Sequence, residues 1–284
     1  MRLEDIKRVG VVLRPSSPEL KEIFLKTRDI FEQNGIEVII DNVSGGMIGV
    51  MGQEFNMMCS NVDFLCTIGG DGTLISVVRR SYNYQLPVLA IHAGKLGFLA
   101  DIDVDELEDF IGKLKSGNYK LEERAILQAT IKTATTTQEL YAFNDVVFTR
   151  PSISKMIHID TFLDGMSFNT YYGDGVVLST PTGSTAYNLS AGGPVLFPQT
   201  NVFALTPICP HSLTQLPVVL PGHYEIEMST PESKALVIID GQDLIKISSS
   251  DKVYIKLAAN RAKLLHKEDF NYFNVLKEKL GWGR

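Results

Sequence analysis

The chain has 284 residues, 44% of them hydrophobic and 21% charged, which suits two soluble globular domains better than one. Its 27 basic and 33 acidic residues leave a net charge of −6 without a basic run, which argues against electrostatic capture of nucleic acid or an anionic membrane. No stretch nears the ~18 apolar residues of a membrane span, and the first residues lack the apolar core of a signal peptide. The three cysteines (Cys59, Cys66, Cys209) show no metal-ligand spacing and read as reduced thiols, so a cytoplasmic protein is expected.

In chain order, residues 9–13 read as a buried strand. Ser16 and Glu19 stand at capping-box spacing with Pro18 near the first turn, and Leu20, Ile23, Phe24, Ile30 and Phe31 share one helical face as far as Gly35. A strand over 36–40 is followed by 41–52, rich in glycine and turn formers and read as a loop. The strand over 64–68 runs into Gly69-Gly-Asp-Gly-Thr73 and then a helix to Arg80. A strand over 86–91, a loop over 92–98 and a helix over 104–114 ending at Gly117 close this part. Strands alternating with helices imply a parallel sheet with right-handed crossovers.

After about residue 121 the period changes to short alternating runs, at 126–132, 139–149, 156–163, 174–179, 202–209, 224–229, 234–240 and 252–258. Asp164-Gly165 and Asp240-Gly241 are hairpin dipeptides. In the tail Phe270, Phe273, Leu276 and Leu280 fall at helical spacing. The expected architecture is therefore an α/β domain over 1–120, with a parallel sheet and flanking helices, and a mostly β domain over 121–264. A C-terminal helix within 265–284 is expected to return to the first domain.

Three features carry chemistry. The first is the Gly69-Gly-Asp-Gly-Thr73 loop between a buried strand and a helix. Its glycines permit close backbone approach and positive φ, and the helix start offers N–H groups to an anion. Asp71 beside a polyphosphate needs a task, either accepting a proton or holding Mg²⁺; alternatively it caps the helix in a tight turn. No GxxxxGK[ST] occurs, and the GxGxxG fingerprint fails because Ile75 stands where the last glycine belongs. The second is the run from Gly173 to Pro194, dense in hydroxyls and glycines, where Tyr187 offers a flat face to a base. Ser/Thr/Gly/Pro density is also what turns look like, but a loop of ~15 residues inside a compact domain is uncommon unless functional. The third is Asn144-Asp145, two polar residues interrupting an apolar strand, suited to a diol or a base edge. The five histidines (92, 158, 211, 223, 266) are scattered, with no pairing that suggests a metal or a triad, and read first as structural, with lining of the cleft as the alternative for His92 and His211.

In this order, Gly69-Gly-Asp-Gly-Thr73, Asn144-Asp-Val-Val147 and Asp174-Gly-Val-Val-Leu-Ser-Thr-Pro-Thr-Gly-Ser-Thr-Ala-Tyr-Asn-Leu-Ser-Ala-Gly-Gly-Pro194 resemble the NAD kinase family, bacterial type, over nearly the whole chain. The last run is highly specific, whereas Gly-Gly-Asp-Gly alone is shared with lipid and sugar kinases. The resemblance implies transfer of the γ-phosphoryl group of ATP to the 2′-hydroxyl of the adenosine ribose of NAD, giving NADP. It implies that Asp71 is the catalytic base, that Gly72 contacts substrate, and that Gly69, Gly70 and Thr73 face the donor phosphates. Phe98, Asn144, Asp145, Lys155, Tyr172, Asp174, Thr185, Ala186, Tyr187, Asn188, Leu189, Ser190 and Gln242 fall at NAD-binding positions, which makes the β domain the NAD-binding one. It further implies a divalent metal, Mg²⁺ first, with unassigned ligands, and a homodimer or homotetramer. His92 stands where the family usually has Asn, and Asp145 where it more often has Glu. The rivals are a lipid or sugar kinase using the same glycine loop, and a nucleotide-binding sensor without turnover.

Overall fold

The computed structural model describes residues 6–94, 97–152, 155–232 and 234–282, and the chain divides into two compact units, 1–123 with 262–284, and 124–261. The first unit starts with strand β1 (Arg8–Leu13), helix α1 (Lys21–Gln33), strand β2 (Glu37–Ile40), and helices α2 (Asn42–Ile48) and α3 (Phe55–Asn61). It continues through β3 (Phe64–Gly69), α4 (Asp71–Arg80), β4 (Pro87–His92), α5 (Leu107–Lys115) and β5 (Tyr119–Arg124). β1 pairs parallel with β2 and β3, and β3 parallel with β4. β3 is buried along its whole length, which explains why 64–68 reads as a continuous apolar run rather than an alternating one.

Two local expectations give way, and one unannounced helix appears. The capping box does not form: Ser16 sits at φ 54°, and Ser17 precedes a 3₁₀ turn (Pro18–Leu20) with Pro at its start. The Ser17 hydroxyl instead accepts from Arg14 Nε at 2.7 Å, and Glu19 pairs with the same guanidinium at 2.9 Å. The 41–52 segment is no loop, because the Asp41 carboxylate accepts the N–H groups of Val43 and Ser44 and caps α2, which Gly49 ends in the left-handed region. α3, capped by Glu54 on the Met57 N–H, has no clear signal in the sequence.

The second unit is a sandwich of two antiparallel sheets. Its strands are β6 (Leu127–Lys132), β7 (Thr137–Ala142), β8 (Asp145–Thr149), β9 (Ile157–Leu163), β10 (Met166–Gly173) and β11 (Gly175–Ser179). After the short helix α6 (Tyr187–Ser190) come β12 (Val202–Ile208), β13 (Val218–Pro221), β14 (Ile226–Ser229), β15 (Ala235–Ile239), β16 (Asp243–Ile247) and β17 (Lys252–Leu257). One sheet has the order β10-β9-β14-β17-β6-β7, the other β13-β12-β11-β8-β15-β16. Alternate residues fill the core between them: Leu127, Ala129 and Ile131, Ile157 and Ile159, and Val253 and Ile255 meet Val146 and Phe148, Val176 and Leu178, and Val237 and Ile239. Val147 and Val177 point the other way and are buried too, so β8 and β11 are covered on both faces.

Both Asp-Gly dipeptides make hairpins, β9 to β10 and β15 to β16, with positive φ at both turn residues: 47° and 79° at Asp164-Gly165, 49° and 65° at Asp240-Gly241. The single strand expected over 139–149 is broken in two. At the break, the Asp240 carboxylate accepts the N–H groups of Phe143 (2.7 Å), Asn144 (2.8 Å) and Asp145 (2.8 Å). Backbone that leaves a ladder must find partners elsewhere, and here a hairpin turn supplies them.

The chain then returns. Strand β18 (Ala262–Lys267), without a strand signal in the sequence reading, enters the first sheet, whose order is β2-β1-β3-β4-β18-β5, pairing parallel with β4. Helix α7 (Tyr272–Leu280) follows it, buries Tyr272 and Leu276, and belongs to the first unit.

Asp240→Ala removes the shared acceptor of three backbone N–H groups and is expected to cost about 2–4 kcal/mol, since bonds to a charged group are each worth ~1.5–3 kcal/mol and are not additive. Urea unfolding measures it. A loss below ~0.5 kcal/mol would mean that water serves those groups equally well.

Candidate active site

In the first unit the site is built where β3 ends and α4 begins. Gly70 is the extended N-cap residue and Asp71 the first helical one. None of Gly69, Gly70 and Gly72 has positive φ, so the reason expected for them gives way to space. A Cβ on Gly69 would lie 2.6 Å from Thr73 Oγ1 and 2.9 Å from Arg14 Cβ, whereas Gly70 and Gly72 have nothing within 4 Å of that position and leave the backbone approachable.

The half-buried Asp71 carboxylate is held by the segment that follows β4. Phe98 N–H donates to Oδ2 at 2.8 Å, and the N–H groups of Leu99 and Ala100 donate to Oδ1 at 3.3 and 3.4 Å. Asp71 and Phe98 are thus brought together through Phe98's backbone. The sequence reading missed Leu99, Ala100 and Gly97; a Cβ on Gly97 would sit 2.1 Å from Asp71 Oδ1. The signal available was a second glycine close behind Gly94. An ionised carboxylate has about four lone-pair sites, so three donors leave one of them, on Oδ2, for a further hydrogen bond.

In the second unit a concavity of about 520 Å³ lies on the outer face of the β8–β15 pair, lined by Asn144, Asp145, Val147, Thr149, Ala186, Tyr187, Ile238, Asp240 and Gly241. Val147 and Ile238 give it an apolar floor, and Tyr187, 44% exposed, stands at its side. The Ser/Thr-rich stretch expected to be a loop is instead a 3₁₀ turn (Thr182–Thr185) followed by α6, and its hydroxyls largely serve the fold. Thr180 Oγ1 donates to the Phe143 carbonyl at 2.6 Å, and Ser184 Oγ donates to the Pro181 carbonyl and accepts the Leu196 N–H. A Cβ on Gly183 would lie 2.2 Å from the Asn144 carbonyl, so that glycine lets the turn lie on the strand break.

Asn188 is fully buried, its carboxamide bonded to the carbonyls of Ser184 and Pro194 and to Thr206 Oγ1, so its side chain faces inward. Thr185, Ala186 and Leu189 are half-buried and Ser190 exposed. Asp174 pairs with Arg150 at 2.9 Å, a partner the sequence did not suggest. Tyr172 stacks on His158 (centroids 4.3 Å apart) and meets His211 edge-on at 5.5 Å. Lys155 and Gln242 are exposed. Of the expected NAD-binding positions, then, Asn144, Asp145, Ala186 and Tyr187 share one concavity, and Asp240, first read only as a turn residue, lines it with them.

Two polar groups there are primed for a ligand. Asn144 Oδ1 is buried without a hydrogen-bond partner, an acceptor that costs free energy until a donor arrives. Burial pushes the Asp145 carboxyl up to about 7, and the negative charge of Asp240 adds to the shift. Partial burial also raises the Tyr187 phenol, with Cys209, Asp145 and Asp174 contributing. Among the described residues no group of three His, Cys, Asp or Glu side chains is arranged to hold a metal ion, and no helix is long and apolar enough to cross a membrane.

The sequence profile of the ATP-NAD kinase N-terminal domain matches residues 9–119, and that of the ATP-NAD kinase C-terminal domain residues 143–267. The chain is 60% identical to an NAD kinase of Sulfurimonas denitrificans over 98% of both chains. It is 51% identical to one of Wolinella succinogenes, over 99% of this chain and 97% of that one. A crystal structure of yeast NADH kinase complexed with NADH superposes with a TM-score of 0.89 at 26% identity, covering 98% of this chain and 88% of the yeast chain. An Archaeoglobus fulgidus NAD kinase in complex with ATP shares the fold, with a TM-score of 0.73 at 22% identity over 96% of this chain and 97% of that one.

The raised Asp145 pKa fixes the sign of a stability effect. Between the ordinary carboxylate range near ~4 and about 7 the folded chain binds a proton that the unfolded chain has released, so this group's contribution falls as pH rises through that window and is lost above it. Asp145→Asn carries no such penalty. Its melting temperature is therefore expected to gain on the parent protein between pH 5 and pH 8, and thermal melts at the two pH values measure the gain. An identical difference at both would show that Asp145 titrates as an ordinary carboxylate.

Proposed function

The chain belongs to the ATP-NAD kinase family and phosphorylates NAD to NADP with ATP as donor, and we propose that Asp71 is the group that receives the proton of the attacking hydroxyl. The observation that carries this assignment is the Asp71 carboxylate, placed at the start of α4 beside approachable glycine backbone and held by three N–H groups with one lone-pair site left. The acceptor is the 2′-hydroxyl of the adenosine ribose. In-line phosphoryl transfer asks the protein mainly to position groups and neutralise charge, and a base of fixed orientation does the first.

Roles for the other residues follow from what each presents. Asn144 Oδ1 accepts a donor of the nucleotide, either a ribose hydroxyl or the adenine amine, and so relieves a buried unpaired acceptor. Asp145 beside it offers a carboxyl that binds a proton near neutrality, and Tyr187 lays its ring against the base. Gly69, Gly70, Gly72 and Thr73, at the positive end of the α4 dipole, face the donor phosphates. Thr185, Ala186, Leu189 and Ser190, with Phe98, Lys155, Tyr172, Asp174 and Gln242, complete the NAD contacts; Asn188 contributes by holding α6 in place.

Mg²⁺ is proposed to arrive on the triphosphate. Such ions are commonly bound through one or two carboxylates plus phosphate oxygens, and Asp71 at the glycine loop is compatible with that donor set, whereas no ready-made three-residue cage stands among the described residues. Bound there, the ion would neutralise charge on the phosphates. A cytoplasmic location is supported by three free cysteines, two of them buried. A homodimer or homotetramer is supported by the edge strand β16, whose Leu244 is 57% exposed.

Incubation with ATP, Mg²⁺ and NAD, followed by an NADP-specific dehydrogenase, reads the activity directly. Asp71→Asn is expected to keep the melting temperature and NAD affinity while kcat falls ~10²–10⁴-fold. Near-normal turnover in that variant would remove Asp71 from the mechanism. NAD carrying 2′-deoxyadenosine is expected to compete with NAD and accept no labelled phosphate; label on the analogue would mean that another oxygen reaches the base.

A further inference from the structure

His266 has no part in the chemistry above, yet the fold buries it to 1% exposure. It lies near the end of β18, and its ring stacks on Phe270, centroids 4.0 Å apart and planes 10° apart. Nε2 is buried without a hydrogen-bond partner, 3.9 Å from the carboxylate of Glu122, which the Lys120 ammonium holds at 2.8 Å. A leucine would fill this space without burying an unpaired nitrogen, so packing alone does not account for the imidazole. What the ring does bond is Asp101: Nδ1 lies 3.0 Å from Asp101 Oδ1, and since an ionised carboxylate can only accept, Nδ1 carries the hydrogen. The other oxygen of Asp101 receives the Lys267 N–H at 3.3 Å.

Asp101 is the residue after Ala100, the last of the three whose N–H groups hold Asp71. One residue further, Ile102 bridges to Ile91 of β4, and its carbonyl accepts the His92 N–H at 3.0 Å. The segment 97–100 belongs to no helix or strand. Its orientation toward Asp71 is fixed by its anchors, and the clamp on Asp101 is the nearest. We propose that His266 is a positioning residue for the kinase reaction: by holding the Asp101 carboxylate it sets the backbone of 97–100, and through it the angle of the Asp71 carboxylate. This rests on the assignment of Asp71 as the base. It also gives the C-terminal return of the chain a task in the reaction, since the clamp is made by the last two residues of β18.

The test uses His266→Leu, His266→Asn and Asp101→Ala in the full-length protein, with steady-state kinetics and amide hydrogen exchange. In His266→Leu and Asp101→Ala, kcat is expected to fall ~10–100-fold with KM for NAD and ATP within about threefold, the size of effect a misplacement near 1 Å produces. Exchange at Phe98, Leu99 and Ala100 is expected to rise at least tenfold over the parent, about 1.4 kcal/mol of lost protection, while β3 and α4 stay protected. His266→Asn, whose amide nitrogen replaces Nδ1, is expected to restore both to within about threefold, a recovery that ring stacking alone would not give. Double substitution of His266 and Asp101 is expected to be no worse than either single change. Parent-like exchange at the three amides overturns the proposal, whatever happens to turnover, and so does loss of kcat without recovery in His266→Asn. If His266→Leu does not fold, Asp101→Ala decides alone, because it removes the acceptor without opening the Phe270 stack. Should Asp71→Asn leave turnover intact, the base assignment falls, whereas the exchange measurement still shows whether His266 holds the segment.

Discussion

A single carboxylate accepting three consecutive backbone N–H groups is the interaction on which the concavity of the second unit depends. Asp240 does this for Phe143, Asn144 and Asp145, and so ends β7, starts β8 and places Asn144 at the concavity on the β8–β15 face. Without such an acceptor the chain would either continue the strand or bury three unpaired donors, and neither leaves room for a polar pair in an apolar sheet. The arrangement has a price: it sets the Asp240 charge beside Asp145 in a dry place, and the Asp145 carboxyl is driven up to about 7.

The same device appears in the other unit with a different outcome. Residues 98–100 give their N–H groups to Asp71, but here the carboxylate keeps a lone-pair site and stands next to glycines that leave space beside it. Where Asp240 organises backbone, Asp71 is itself organised by backbone. A carboxylate fixed in this way needs little rearrangement when a ligand arrives, and such preorganisation is where enzyme sites gain most of their rate. The polar residues of the signature run divide accordingly: Thr180, Ser184 and Asn188 are consumed by the fold, while Tyr187 stays 44% exposed beside the concavity.

Much of this was legible along the chain, and the reasons are local. The continuous apolar run at 64–68, the alternation at 127–131 and 253–255, and the Asp-Gly turns are each set by short-range periodicity or by φ, so neighbours in sequence suffice to read them. The two short helices between β2 and β3 escaped because side-chain caps at Asp41 and Glu54, rather than propensity, hold them. The capping-box spacing at Ser16 and Glu19 misled for the converse reason: Ser16 takes positive φ outside the turn, and Arg14 engages the Glu19 carboxylate.

The sequence by itself determined the two-domain plan, the glycine loop with its single carboxylate, and the family to which the ordered motifs belong. Only the tertiary structure decided which polar residues are occupied and which are available. Asn188 lies inside the most specific run yet turns inward, Asp240 looks like a turn residue yet shapes the concavity, and His266 looks idle yet bonds the residue beside the Asp71 clamp. The physical reason is the same for all three: a hydrogen bond is directional and short, and its partners here stand 18, 97 and 165 residues away along the chain, a separation no local pattern encodes.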